Sequence, residues 1–177
     1  MFLARAIAER PHTGRALDIG CGSGLFSVYL ARAGYSVTAL DFTERAIEMT
    51  RDRARAAGIK IAAVCTDVLD WASSERFDLI LDSGCLHCLE RRARQRYRDK
   101  LLSWIGDDGD FVLIHIERRH LLDWRPVGPR RIARGEIHAL FCPPLLEMTY
   151  ASQIHRVPLP IGPTVCIASH WFRRSRG

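Results

Sequence analysis

No apolar run in this chain reaches the roughly 18–20 residues that a membrane-crossing helix needs, so no helical span is expected. Lysine is almost missing. Only Lys60 and Lys100 occur, and the net charge of +6 comes from arginine. Such a skew points to a GC-rich, bacterial coding bias more than to a nucleic-acid groove. The arginine clusters at 91–98, 118–134 and 173–176 also hold few interleaved aromatic residues, Tyr97 and Trp124, of the kind that serve nucleic-acid binders as stacking platforms. A second cysteine pair to match Cys85 and Cys88 is missing, and Leu89 stands where haem attachment would want a histidine, so no metal or haem site is expected. The six cysteines (Cys21, Cys65, Cys85, Cys88, Cys142 and Cys166) lie in apolar strand-like runs and read as reduced, buried thiols. The first residues lead into a helical pattern already carrying Glu9 and Arg10, with no apolar signal core, and a cytoplasmic location is expected. There is no internal repeat and no low-complexity segment.

What is present suits one domain over residues 1–177, with 47% hydrophobic content and room for a sizeable core. The chain is organised around Leu17-Asp18-Ile19-Gly20-Cys21-Gly22-Ser23-Gly24, a buried strand end, a glycine turn and a helix start. Three glycines at alternate positions allow a tight turn and a close ligand approach. The sixth position of a G-x-G-x-x-G dinucleotide turn would want glycine, and Leu25 stands there, which disfavours a pyrophosphate ligand.

Periodicity and breakers give the remaining elements. A short amphipathic helix over 2–9 is stopped by Pro11 and Gly14. Strands are expected at 16–19, 35–40, 59–65, 77–81 and 111–116, and helices at 25–33, 43–57 and 90–105, with Gly34 and Gly58 as stops. The charged helix at 90–105 turns Ala93, Tyr97, Leu101 and Trp104 inward and its arginines to solvent. Residues 117–135 form a basic connection suited to an acceptor-site loop. A short helix at 136–141 and strands at 145–154 and 164–172 follow, separated by a loop with Pro158, Pro160, Gly162 and Pro163. Five strand–helix repeats closed by a hairpin imply an α/β fold, a doubly wound, mostly parallel seven-stranded sheet ending in an antiparallel hairpin.

In such sheets ligands sit beyond the carboxyl ends of the strands. The residues there are the glycine turn, Asp41 about 20 residues past Gly20 and suited to a ribose, Thr66-Asp67-Val68, and Asp82-Ser83-Gly84-Cys85-Leu86-His87. His87 is the first candidate for a general base, because imidazole titrates near neutrality. His115, inside a strand, reads as core. Glu117 and His120, just past that strand, are candidates to line an acceptor pocket.

The octet and these strand ends resemble the class I S-adenosylmethionine-dependent methyltransferases. The segment Phe77-Asp78-Leu79-Ile80-Leu81-Asp82-Ser83-Gly84-Cys85-Leu86-His87-Cys88-Leu89 is most similar to the small thiopurine- and tellurite-resistance-type members. The resemblance implies S-adenosyl-L-methionine as cofactor, held by Asp18, Gly20, Cys21, Gly22, Gly24, Asp41, Phe42, Asp67, Val68, Asp82 and Ser83. Asp18 would lie near the cofactor's ammonium, and Asp67 would take the adenine amine. It also implies methyl transfer to a small molecule, at oxygen or sulfur. Nucleic-acid amino-methyltransferases carry an Asn/Asp-Pro-Pro-aromatic signature where this chain has Asp82-Ser83-Gly84-Cys85, although an RNA methyltransferase stays open as an alternative. Fewer than 20 residues precede the glycine turn, so the acceptor lid is expected to be short, missing, or supplied by 117–135 or another chain. That leaves a homodimer, or a non-catalytic cofactor-binding subunit of a complex, as further alternatives.

Overall fold

The computed structural model of the chain describes residues 2–9, 14–120, 123, 130–156 and 164–175. The expected stop at Pro11, the centre of the basic connection and the proline loop at 157–163 lie outside the described residues. Helix α1 (Phe2–Ala8) precedes β1 (Gly14–Ile19), α2 (Leu25–Arg32), β2 (Tyr35–Asp41), α3 (Glu44–Ala56), β3 (Ala62–Cys65) and β4 (Phe77–Ser83). Two single 3-10 turns, Leu86–Cys88 and Arg91–Ala93, lead into α4 (Arg94–Trp104). Then come β5 (Ile105–Ile116), α5 (Arg134–Phe141), β6 (Leu145–Arg156) and β7 (Thr164–Arg174). Among the described residues, no helix is long and apolar enough to cross a membrane.

The seven strands form one sheet in the order β3-β2-β1-β4-β5-β7-β6. Neighbours from β3 to β5 run parallel, and β7 runs antiparallel to both β5 and β6. The order reverses between β1 and β4, which defines the crevice where an open α/β sheet takes its ligand. Register brings the strand ends level: Ile19 lies opposite Leu40 on one side and Asp82 on the other, Asp41 opposite Cys65, and Ser83 opposite Ile114.

Alternation along the buried strands feeds two cores. Ala16, Val37, Leu79, Leu81 and Val112 face α1 and α2. Leu17, Ile19, Leu40, Ile80, Phe111 and Leu113 face α4 and α5, whose Tyr97, Leu101, Trp104, Ile137 and Phe141 close the second layer. Thr43 caps α3 as its sequence position suggests, its Oγ1 accepting from Ala46 N–H at 3.3 Å. Gly34 (φ 99°) and Gly58 (φ 67°) end α2 and α3 in left-handed conformations.

Two expectations need correction. The strand–helix repeat fails once, because no helix follows β3. Residues 66–76 instead make a turn in which Asp67 accepts from Leu69 N–H at 2.8 Å. The Trp71 ring, 4.9 Å from that of Trp104, covers the sheet where a helix would have lain. The cysteines are not uniformly buried either. All six are free thiols, Cys21 and Cys166 are buried, and Cys65 and Cys88 are exposed, because both fall at the level of the strand ends rather than within the sheet.

Candidate functional site

The glycine turn is built by backbone conformation. Gly20, Gly22 and Gly24 all have positive φ (68°, 54° and 73°), a region that L side chains adopt only under strain. A Cβ on Gly24 would stand 2.8 Å from the Thr50 backbone on α3, so this glycine also lets two helices meet. A Cβ on Gly22 would meet nothing within 4 Å, so that backbone borders open space.

Asp41, at the end of β2, locks the turn to its neighbour. Its Oδ2 accepts from Gly22 N–H at 3.0 Å, and its Oδ1 accepts from Thr43 N–H at 3.0 Å and Thr43 Oγ1 at 2.8 Å. A carboxylate offers about four lone-pair positions, and these three contacts leave Asp41, half-buried, with capacity for a further donor.

Between these strand ends lies a cleft of about 420 Å³, lined by Gly20, Leu40, Asp41, Phe42, Thr66, Asp67, Val68, Ser83, Gly84, Cys85, Cys88 and Leu89. That size is in the range of small-molecule sites. Its walls are apolar, with carboxylates of two neighbouring strand ends at its edge. The Asp67 Oδ2 has no partner among the described residues, its Oδ1 being held by Leu69. Phe42 is 77% exposed, an aromatic face that only a ligand or partner would cover. Apolar walls and two carboxylates on neighbouring strand ends fit a nucleoside with a ribose hydroxyl and an exocyclic amine.

Not every residue expected at the cofactor lines this cleft. Asp18 is 1% exposed on the α2 face of β1, where Ser27 Oγ donates to its Oδ2 at 2.5 Å. Burial, reinforced by the Asp82 and Asp41 charges, raises its pKa to about 6 against the Ser27 hydrogen bond. Cys21 is buried with Sγ 3.4 Å from Thr50 Oγ1, and burial pushes its thiol up to about 11.

Asp82 is fully buried behind the cleft. Its Oδ1 accepts from Gly84 N–H (3.0 Å) and Cys85 N–H (2.7 Å), and its Oδ2 from Leu86 N–H (3.0 Å) and Tyr97 O–H (2.6 Å). Four donors fill four lone-pair positions, so this side chain shapes the loop that lines the site. Burial still carries its pKa up to about 6. Burial likewise raises the Cys85 thiol, and partial desolvation with the nearby Asp82 charge raises that of the more exposed Cys88, so both cleft sulfurs are protonated and weakly nucleophilic at neutral pH.

His87 stands beside the cleft; a Cβ on Gly84 would lie 3.5 Å from its Nε2. Its Nδ1 accepts from Ile116 N–H at 3.2 Å. Burial lowers its pKa, so the neutral ring carries its proton on Nε2. The lone pair a general base would use is already occupied by the backbone.

Glu117 is buried just past the end of β5, both carboxylate oxygens accepting from Tyr150 O–H at 2.7 and 2.8 Å. His120 is exposed, and neither residue lines the cleft. His115 is core, as expected, with its Nε2 3.1 Å from that of His170. The cleft residues outside the strand-end segments named from the sequence are Leu40, Cys88 and Leu89. Leu40 stands next to Asp41, and its side chain gave no chemical signal.

Asp18 gives a direct pH test. Its folded pKa lies above the ordinary carboxylate value of 3.8, so its contribution to stability is fully present below about pH 4 and is lost as pH rises through 6. Asp18→Asn keeps an acceptor for Ser27 and removes the buried charge. It is expected to raise stability at pH 7.5 by on the order of 1–3 kcal/mol and to leave it nearly unchanged at pH 4. Thermal melts at the two pH values check this, and an equal shift at both would refute the assignment.

Residues 16–109, just over half of the chain, match the family described as "Methyltransferase domain". A ubiquinone biosynthesis O-methyltransferase of Actinobacillus pleuropneumoniae serotype 5b (strain L20) is 35% identical over 82 residues, 43% of this chain and 34% of that protein. Among solved structures, TehB from Haemophilus influenzae superposes with a TM-score of 0.82 at 18% identity, over 98% of this chain and 61% of that one. The 1,6-didemethyltoxoflavin-N1-methyltransferase of Burkholderia thailandensis, with bound 1,6-didemethyltoxoflavin and S-adenosylhomocysteine, gives 0.76 at 24% identity, over 99% and 76%. These two likenesses establish the fold. The chain spans 24% to 43% of the length of the curated relatives it matches.

Proposed function

Because the chain belongs to the methyltransferase domain family, we propose that it moves a methyl group from S-adenosylmethionine to a small-molecule acceptor, at oxygen or sulfur in preference to nitrogen. The observation that carries this reading is the nucleoside-sized cleft at the switch point, with Asp41 and Asp67 on neighbouring strand ends and a left-handed glycine turn beside them.

In this reading Asp41 takes a ribose hydroxyl. Asp67 takes the purine amine, with Val68 and Phe42 against the ring, and Gly20, Ser83 and Gly84 border the amino-acid portion. Asp18, Cys21, Gly22, Gly24 and Asp82 act from behind, by fixing the turn and the loop. The bound cofactor supplies an electrophilic sulfonium methyl and its own leaving group. The chain's task is then to hold the acceptor in line and to exclude water.

His87 contributes as a donor. With Nδ1 occupied by Ile116 N–H, its Nε2–H is free to orient an acceptor oxygen or sulfur. An acceptor that arrives as a thiolate, phenolate or carboxylate needs no base, whereas an ammonium would have to lose a proton first. This is the physical reason for favouring oxygen or sulfur.

The test is calorimetric titration of the full chain with S-adenosylhomocysteine and with NAD. Saturable binding of the first and none of the second is expected, and the reverse would overturn the reading. For His87→Ala, turnover should drop by roughly tenfold or more, as for a lost positioning contact, while the S-adenosylhomocysteine dissociation constant stays within about twofold. Equal loss of both would make His87 a scaffold residue only.

A further inference from the structure

A second pocket of about 290 Å³ lies at the start of α4, bordered by Arg91, Arg94, Gln95, Ile132, Glu136 and Leu140. It meets a neighbouring depression lined by Glu90, Arg91, Arg92 and Arg130, the two sharing Arg91.

The side chain of Arg94 is only 10% exposed, and its Nε has no hydrogen-bond partner among the described residues. Its nearest carboxylate oxygen, Glu136 Oε2, is 3.6 Å from Nη1, too far for a good hydrogen bond. Glu136 is also committed elsewhere, since its Oε1 accepts from Arg118 Nη2 at 2.5 Å. One carboxylate therefore serves two arginines, with Arg91 and Arg130 close enough to act on the same guanidinium. Burial, together with the charges of Arg130, Arg91 and Arg118, holds the Arg94 pKa below its ordinary value. Arg94 is also the first residue of an 11-residue helix, whose N-terminal N–H groups add positive potential.

A buried guanidinium with an unused donor and surplus positive charge lacks an anion. We propose that this pocket binds an oxyanion, a carboxylate or phosphate carried by the methyl acceptor, which docks its charged end on Arg94 and Arg91. This rests on the methyltransferase reading above. The pocket is continuous with the loop that borders the cofactor cleft. Cys88 and Leu89 line the cleft, Glu90 and Arg91 line the depression, and Arg130 N–H donates to the His87 carbonyl at 3.0 Å. The same few residues thus separate the methyl end from the arginines, and the acceptor class narrows to small molecules bearing an acidic group away from the methylated atom.

The test titrates the full chain with inorganic phosphate and with succinate at fixed ionic strength set by chloride, with and without saturating S-adenosylhomocysteine. Saturable binding of one or both anions is expected, weakened about tenfold by Arg94→Gln and about threefold by Arg91→Ala, as for loss of charge-assisted contacts. Arg32→Ala, an exposed arginine on α2, should change nothing. Arg91 is exposed, so its variant reports even if Arg94→Gln fails to fold. No binding beyond chloride, or equal weakening by Arg32→Ala, overturns the proposal. So does single-stranded RNA that binds more tightly than phosphate with the same dependence on Arg91. S-adenosylhomocysteine binding without anion binding sinks this pocket alone, whereas anion binding without S-adenosylhomocysteine binding sinks the methyltransferase reading and leaves an anion site on a different protein.

Discussion

Asp82→Ala is expected to remove on the order of 3–5 kcal/mol of folding stability, because it leaves four donors facing a dry interior. Three are the N–H groups of Gly84, Cys85 and Leu86, and the fourth is the Tyr97 hydroxyl. Domains of this kind are stable by about 5–15 kcal/mol, so the loss is a large fraction of the whole. Tyr97→Phe, which removes one donor and no acceptor, should cost only about 1 kcal/mol. Urea unfolding midpoints compare the two. A loss for Asp82→Ala no larger than that for Tyr97→Phe would mean that water reaches the loop and that the carboxylate is dispensable. Because Ser83, Gly84 and Cys85 line the cleft, S-adenosylhomocysteine affinity should fall together with stability in this variant.

Asp41→Ala should show the opposite balance. With three of its four lone-pair positions filled, Asp41 can receive one ribose hydroxyl in a charge-assisted hydrogen bond, and losing it should weaken S-adenosylhomocysteine binding by roughly thirtyfold, close to 2 kcal/mol. The stability loss should be smaller, on the order of 1 kcal/mol, because the orphaned Gly22 and Thr43 N–H groups stand at a half-open cleft edge. Calorimetry and denaturation on the same preparation separate the two effects. A dissociation constant within twofold of the parent would show that Asp41 only ties the turn to α3.

The glycine turn, the caps and the parallel pairing were legible in the sequence because each rests on a local signal. Glycine is the cheap residue for positive φ, threonine before a helix is a cap, and apolar runs spaced by helices imply parallel pairing. What escaped was non-local. Asp82 reads as one more acid at a strand end, and only the arrival of Tyr97 and the curl of the following loop reveal that its oxygens are already filled. Arg94 reads as one of several solvent-facing arginines, yet it is buried while Ala93 is not. The 3-10 turn at Arg91–Ala93 shifts the phase of the helix, and α5, some 40 residues later, closes over that side. Periodicity placed no helix after β3, and only the count of five strand–helix repeats assumed one; Trp71 on a turn packs there against Trp104. Glu117 looks available from its position past β5, but the Tyr150 that engages it sits on β6.

The place of β7 in the sheet bears on how the chain is made. It lies between β5 and β6 although it comes after both in the sequence. During synthesis β5 emerges with β4 on one flank and nothing on the other, and β6 has no neighbour at all until β7 follows. An open strand flank is a template for pairing with another polypeptide. A chain cut before Thr164 would lack β7 and so leave the β5 flank that β7 covers open to pairing with other polypeptides.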